Sequence, residues 1–365
     1  MDVAAALAAD PVVAVDLEAD SMYHFREKVC LLQLSGSAGS FVIDVLSVTD
    51  LSPLREIFES SRIRKVFHGA DYDVRSLYRD FGISIHHLFD TQIAATFLGL
   101  AETGLESMVR RYFTAQLDKK YQKKDWSLRP LPDEMVAYAA RDVLYLVNLA
   151  EELRRELAEK GRLAWVEEEC DLLSRVRPAA ADDSPLFLRF KGAGRLDRRS
   201  LAVLEALLQL RMTLAERRDR PLFKIIGNAS LMQLAQAKPS TSEEMTACRA
   251  LSARQIQLYG PALMGAIREA LHLPEARLPR YPRRPAAAPV GSLVTDRMQA
   301  LRVWRDRKAN MLGLDPAVLF NKAQLFAIAQ ASPRRLKEIE DLPEIRRWQV
   351  DAFGRALLAV LRKAG

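Results

Sequence analysis

Residues 12–18, Val-Val-Ala-Val-Asp-Leu-Glu, place four apolar and mostly β-branched residues directly before two carboxylates one residue apart. The run is short, follows Pro11 and reads as a buried strand rather than a helix. Alternation along a strand points Asp16 and Glu18 the same way and Leu17 the other. Two carboxylates side by side at the end of a buried strand repel each other and are costly to desolvate. Either the strand ends in solvent or a cation sits between the acids, and this stretch alone fits both.

Val29–Leu34 and Ser40–Asp44 read as two further strands about a Ser35–Gly39 turn, and Leu51–Ser60 as a helix started by Ser52-Pro53. Lys65–His68 is another short strand, running through Gly69 into a helix over Val74–Phe81 that ends at Gly82. Strands first, then strands alternating with helices, specify an α/β sheet of mixed direction. Asp73 falls where a strand feeds a helix, the edge at which such sheets build sites, and Asp71 competes with it or caps the helix. Asp90 reads as the cap of a helix over 91–99, and another helix follows over 104–113. Pro132-Asp133-Glu134 opens a helix that sets Tyr138 and Asp142 one turn apart on one face, with apolar neighbours around Asp142. Asp118–Trp126 together with Arg129 holds four lysines, an arginine and two aromatics. Such a segment either pairs phosphates and stacks bases or simply faces water.

Several chemistries are excluded. A chain of 365 residues is expected to form two or three domains. No apolar run approaches the ~18 residues of a membrane span. The N-terminus has no basic flank before its short apolar piece, so a cytoplasmic protein without a signal peptide is expected. Cys30, Cys170 and Cys248 are odd in number and far apart, which fits a reducing compartment and neither a disulfide framework nor a zinc site. The five histidines form no metal-binding pair, so a metal here would be held by oxygen. Charge is divided: residues 1–175 hold 21 Lys/Arg against 29 Asp/Glu, and residues 176–365 hold 33 against 18. The second half is therefore either a polyanion-binding surface or an arginine-rich solubilised one.

Taken in order, Asp16-x-Glu18, His68-Gly-Ala-x-x-Asp73 and Tyr138-x-x-x-Asp142 resemble the three exonuclease motifs of the DEDD superfamily, in its DEDDy branch. Phe89-Asp-Thr91 and Asp125-Trp-x-x-Arg-Pro-Leu131 are similar to segments of the ribonuclease D family and its exosome-associated relatives, and the likeness covers about residues 11–160. Asp16-Leu17-Glu18 departs from the Asp-Thr-Glu usual in bacterial members toward the exosome-type relatives. The resemblance implies a ribonuclease H-like (DnaQ-like) exonuclease domain with two divalent ions, Mg²⁺ or Mn²⁺, roughly 4 Å apart. Asp16 would bridge both ions, Glu18 and Asp142 would complete the site of the attacking water, and Asp73 would serve the second ion. Tyr138 would orient that water, and Leu17 is expected to be buried, fixing its two neighbours on the metal face. His68, Lys123, Lys124, Trp126 and Arg129 are the candidates for contacting RNA.

Beyond an Ala- and Asp-rich stretch at 178–185 the chain repeats itself, Leu231–Pro239 matching Leu325–Pro333 at an offset of 94 residues. Upstream in each copy lie an Arg-rich helix, a proline (Pro221, Pro316) and an asparagine (Asn228, Asn321); downstream lie amphipathic helices over 261–271 and 350–363. Arg211-x-x-x-Ala215 and Asp219-x-Pro221-x-Phe223 leading to Asn228-x-x-Leu231 make the first copy similar to HRDC domains, and the second is a more divergent relative. Leu273–Pro289, with five prolines and four arginines, reads as a stiff extended linker.

The expected architecture is an α/β exonuclease domain over 1–177, a linker at 178–193, a helical HRDC domain over 194–273, a Pro/Arg-rich linker at 274–291 and an HRDC-like domain over 292–365. The expected activity is removal of nucleoside 5′-monophosphates from RNA 3′ ends, tRNA precursors above all, with no membrane and no obligate protein partner. A DNA 3′→5′ proofreading or repair exonuclease and a non-catalytic RNA-binding protein are the alternatives, separable by digesting matched RNA and DNA.

Overall fold

The computed structural model describes residues 2–48, 50–180, 182–282 and 291–364. The chain packs as two compact units. One joins the chain up to Ala19, Val29–Pro178 and the helices that follow residue 291; the other joins Asp20–Lys28 to the chain from Ala179 as far as Pro282.

The first unit is built on a five-stranded sheet in the order β3-β2-β1-β4-β5. β1 (Val12–Ala19), β2 (Val29–Gly36) and β3 (Gly39–Asp44) form an antiparallel meander. β4 (Arg64–Phe67) adds parallel to β1, and β5 (Leu88–Asp90) parallel to β4. β1 is central, which explains its run of Val13, Ala14 and Val15, all fully buried. β5 escapes a sequence reading because three residues carry no period, and its last residue also caps the next helix.

Helices α1 (Val3–Leu7), α2 (Ser52–Phe58), α3 (Asp71–Phe81), α4 (Thr91–Leu98) and α5 (Leu105–Phe113) are followed by α6 (Asp133–Leu144), α7 (Leu146–Glu159) and α8 (Leu163–Ser174). α3 begins three residues earlier than its apolar pattern indicates, so Asp71 and Asp73 both lie in its first turn, at the positive end of the helix dipole.

Ten further helices form the two repeats. In the second unit these are α9 (Arg198–Arg218), α10 (Leu222–Ile225), α11 (Asn228–Ala237), α12 (Ser242–Ala247) and α13 (Ala253–Leu271). In the first unit they are α14 (Ser292–Leu312), α15 (Pro316–Leu319), α16 (Lys322–Ala331), α17 (Leu336–Glu340) and α18 (Arg347–Lys363). Each helix of one copy begins 94 residues from its counterpart. The offset makes Asp315 the equivalent of Pro221, and Lys322 the equivalent of Asn228, so the paired prolines and asparagines are neighbours rather than equivalents. The last helix of each copy starts earlier than its apolar stripe: a capping box of Ser252 with Gln255 opens the first, and in the second the Gln349 side chain accepts the Arg346 backbone N–H at 2.8 Å. Arg211 Nη1 donates to the Ile226 carbonyl at 3.1 Å, and Arg305 Nη1 donates to the Phe320 carbonyl at 3.0 Å, one shared internal brace.

The structure draws the module boundaries differently from the sequence in three places. The second helical copy shares one apolar core with the sheet. There Trp348 stacks on Trp165 at 4.8 Å and meets Phe97 edge-on at 5.5 Å, while its indole N–H donates to Glu169 at 2.9 Å. Arg162 ties the two further, donating to the carbonyls of Phe97 at 2.9 Å and Leu312 at 2.6 Å. Second, part of the 178–193 segment is packed: Phe187 and Ala193, from two 3₁₀ turns, are buried in the core of the second unit. Third, Phe25 from the loop between β1 and β2 packs on that same core, where its N–H and the His24 Nδ1 both meet the Asp219 carboxylate. The Pro/Arg-rich stretch is only partly extended where it is described: Pro274 and Leu278 have extended backbones, but Glu275–Arg277 between them makes a 3₁₀ turn and Leu278 is buried, while residues 283–290 lie outside the described residues.

Candidate active site

β1 delivers Asp16 and Glu18 to the rim of a cavity of about 390 Å³, also lined by His68, Tyr138 and Asp142. Leu17, between the acids, is buried in the core and pairs in register with Leu32 of β2. A bulge follows Glu18, which ends the regular ladder just beyond the second acid.

Asp73, buried in the first turn of α3, does not line the cavity itself but lies within the field of the Asp16 carboxylate. The turn that leads into α3 is held by Asp90, whose carboxylate accepts the N–H groups of Gly69 at 3.0 Å and Ala70 at 2.7 Å. The same carboxylate caps α4 through Gln92 N–H and Ile93 N–H, so Asp90 stitches two strand ends together. Gly69 adopts φ +77°, a left-handed turn that favours glycine. The Thr91 hydroxyl donates to the Phe67 carbonyl at 2.9 Å and therefore accepts from His68 Nδ1, also at 2.9 Å. The segment Phe89-Asp-Thr91 thus acts by shaping the turn before Asp73.

Electrostatics shows the acids to be one system. Asp16 is pushed up to about 6 by burial, Asp142 to about 8 by burial and the Asp16 charge. Glu18 rises to about 10 through burial and the charges of Asp16, Asp142 and Asp73. Asp73 is raised well above the ordinary carboxylate range by burial and Asp16. The Asp16 charge is therefore a cause in the other three. Tyr138 is held far above its ordinary value by burial and by Asp142, Glu18 and Asp16, so its hydroxyl stays protonated and can donate.

Among the described residues, no three His, Cys, Asp or Glu side chains are gathered tightly enough to close a metal site as placed. Unneutralised carboxylates spread apart, and four of them feeling one another's charge are what a hard divalent cation reverses. The donor set, oxygen only, fits Mg²⁺ or Mn²⁺ and not a soft metal.

The sign of the pH dependence follows. The ordinary carboxyl values, 3.8 for Asp and 4.5 for Glu, lie below the folded values of about 6, 8 and 10, so the folded chain binds more protons than the unfolded one across that window. Stability without divalent ions is expected to be greatest below about pH 4 on this account, and to fall as pH rises to about 10. Thermal melts in chelator should show Tm dropping over that range, and Mn²⁺ should raise Tm more at the alkaline end, with proton release. A Tm in chelator that stays flat would show that the acids do not repel.

A model described as 3′→5′ exonuclease matches residues 1–158, and one described as HRDC domain matches residues 200–267 and 294–361. Ribonuclease D of Granulibacter bethesdensis is 31% identical over 357 residues, 96% of this chain and 87% of that protein. The chain belongs to the ribonuclease D family. Ribonuclease D of Pseudomonas paraeruginosa is 30% identical over 97% of this chain and 93% of its own length. The crystal structure of Escherichia coli RNase D, described as an exoribonuclease involved in structured RNA processing, superposes with a TM-score of 0.72 at 27% identity, covering 99% of this chain and 95% of that one. The ribonuclease H-like sheet with its helical HRDC region is thus the fold of the family.

Two of the RNA-contact candidates in this ribonuclease D chain have other roles. Trp126 is 1% exposed, packed with Cys30, Leu31, Met135 and Ala139, and cannot stack a base. Its ring lies 6.1 Å from that of Tyr138, and Tyr121 flanks the same ring at 5.7 Å, so the two aromatics position Tyr138. Arg129 forks onto Asp44 with two 2.6 Å contacts and donates to the carbonyls of Trp126, Leu128 and Cys30. That clamp holds Asp44 down to about 2 and pins the 126–129 segment to the sheet. Trp126→Ala is expected to cost ~3–5 kcal/mol of stability, as large aromatic truncations in cores do. Arg129→Ala should lower Tm without changing RNA affinity at a temperature where it is folded; weakened binding with Tm unchanged would restore the RNA role.

Of the remaining candidates, His68 lines the cavity, whereas Lys123 and Lys124 are exposed and do not. The segment instead sends Lys119 and Gln122 to the wall, Lys119 paired with Glu106 at 2.7 Å. Gln92 also lines the cavity, and nothing in its spacing from the acids announces it.

Proposed function

We propose that this 3′→5′ exoribonuclease hydrolyses the terminal phosphodiester of RNA with two divalent ions, Mg²⁺ or Mn²⁺, held by Asp16, Glu18, Asp73 and Asp142, releasing nucleoside 5′-monophosphates. The observation that carries the reading is the mutual field of four carboxylates, three of which (Asp16, Glu18 and Asp142) line one cavity, with the Asp16 charge acting on each of the other three. Bound divalent ions supply charge neutralisation at the phosphoryl group and acidify water. The chain's own part is to aim the four carboxylates together; burial and their mutual charge favour the protonated form, and a bound cation would hold them ionised. Asp16 and Glu18 are fixed by the buried Leu17, and Asp73 by the turn that Asp90 holds. Tyr138, protonated and wedged between Trp126 and Tyr121, hydrogen-bonds Asp142 in the structure and would turn its hydroxyl toward the attacking water to orient it. It does not act as the base.

The ribonuclease D relatives point to RNA, and the Escherichia coli protein's part in structured RNA processing favours stable RNAs with 3′ extensions, tRNA precursors among them, in the cytoplasm. No helix among the described residues is long and apolar enough to cross a membrane. The test is product analysis on a 3′-extended tRNA and on its DNA counterpart, with and without Mg²⁺. Mononucleotides from the RNA alone, and only with the ion, are expected; cleavage favouring DNA would replace the reading with a DNA exonuclease.

A further inference from the structure

The second unit carries a cavity of about 540 Å³ in its helical repeat, lined by Arg218, Arg220, Lys224 and Arg254 together with Tyr259 and Leu258, and by no acid. Among the described residues, none of the four cations has a carboxylate within ion-pair distance, whereas Arg198 and Arg199 of the same unit are paired with Glu275. Arg218 lies over the Tyr259 ring at 4.7 Å and donates to its hydroxyl at 3.0 Å, and Lys224 lies over the Tyr23 ring at 4.1 Å. Arg220, Lys224 and Arg254 are all exposed. Four uncompensated cations around a concavity repel one another, a cost that a polyanion removes.

The internal repeat supplies an independent observation. At the 94-residue offset, Arg218, Arg220, Lys224, Arg254 and Tyr259 correspond to Leu312, Leu314, Val318, Trp348 and Phe353. Every cation has an apolar counterpart. In the second copy this face is covered: Trp348 packs on Trp165 and Phe97, and Phe353 on Trp165 at 5.5 Å. The fold therefore uses this face for docking in one copy, and in the other presents the same face with cations in place of apolar side chains. An apolar partner suits the second copy; the first needs an anionic one. Three of its four cations are arginines, whose guanidinium forks match phosphate oxygens in pairs.

Resting on the exoribonuclease reading, we infer that this face of the first repeat binds backbone phosphates of the substrate RNA upstream of the 3′ end being hydrolysed. It acts as an anchor that selects RNAs long enough to reach it.

The test uses the full chain with Arg220→Glu and Arg254→Glu together, two exposed positions outside the catalytic set. Two substrates are compared: a stem–loop RNA with a single-stranded 3′ tail, and the tail alone as a short oligoribonucleotide. On the stem–loop, Kd should rise at least about tenfold, and the slope of log K against log salt should become shallower by about 2, one for each phosphate no longer neutralised. Binding is read in an Asp16→Asn background, so that it does not depend on cleavage. On the tail alone, kcat/KM should stay within about twofold of the parent, because the phosphates that the anchor grips lie outside the RNA supplied. Equal losses on both substrates, or none on the stem–loop, would overturn the inference and leave the exoribonuclease reading standing. A parent chain that binds the stem–loop through these arginines but releases no mononucleotide from either RNA would overturn the activity and leave the anchor. Undiminished RNA binding in the variant, with tight binding of an acidic peptide by the parent alone, would reassign the face to a protein partner and overturn the inference.

Discussion

Asp16→Asn is expected to lower kcat on RNA by at least about 10⁴-fold, the scale of loss when a central catalytic group is removed, and at the same time to raise Tm in chelator at alkaline pH. Both effects come from one fact: the Asp16 charge is felt by Glu18, Asp73 and Asp142 alike. Asparagine keeps the shape of the side chain and deletes the charge, so the three remaining carboxylates lose their common repulsive neighbour. The gain should vanish at low pH, where the parent carboxylates are protonated, and it should be reversed by Mn²⁺, which favours the parent. A variant that loses activity and also melts earlier in chelator at alkaline pH would mean that Asp16 is a structural acid, and the metal reading would fall.

Tyr138→Phe is expected to lower kcat by about 10²-fold with KM within about twofold, the range for a positioned group acting on a proton in the transition state. Phenylalanine keeps the ring contacts with Trp126 and Tyr121, so Tm should hold. Because the tyrosine pKa is driven upward by burial and by its carboxylate neighbours, the parent's pH–rate profile should show no limb belonging to tyrosine deprotonation below about pH 10, its ordinary value. A variant with full kcat and raised KM would make Tyr138 a substrate-binding side chain instead.

The parts of this site that are legible in the sequence are those fixed by local geometry. Asp16 and Glu18 share a face because strands alternate, and Tyr138 and Asp142 share one because helices turn, so both pairs follow from spacing alone. The sheet direction and the repeat follow from the order of periods along the chain. What is illegible depends on partners remote in sequence. The composition of Asp118–Arg129 is the same whether Trp126 lies on the surface or beneath it. Asp44, 85 residues away, decides the matter by taking two of the three guanidinium nitrogens of Arg129. Trp348 likewise reads as one aromatic on an amphipathic helix until Trp165 and Glu169 are seen beneath it. The linker at 178–193 reads as polar punctuation, and only the core that receives Phe187 shows that part of it is packed.

The shared core of the sheet and the second helical copy has a consequence for synthesis. Trp348 and Glu169 are 179 residues apart, with the whole first repeat threaded between them. A chain made from its N-terminus ordinarily folds domain by domain as each one emerges. Here the catalytic half leaves the ribosome with Phe97 and Trp165 uncovered, and their partner Trp348 follows only after the whole first repeat. Contacts of such sequence separation are slow to form. The nuclease core therefore reaches its final packing only once α18 has been made, and a nascent chain stalled before α18 should present this apolar surface to chaperones.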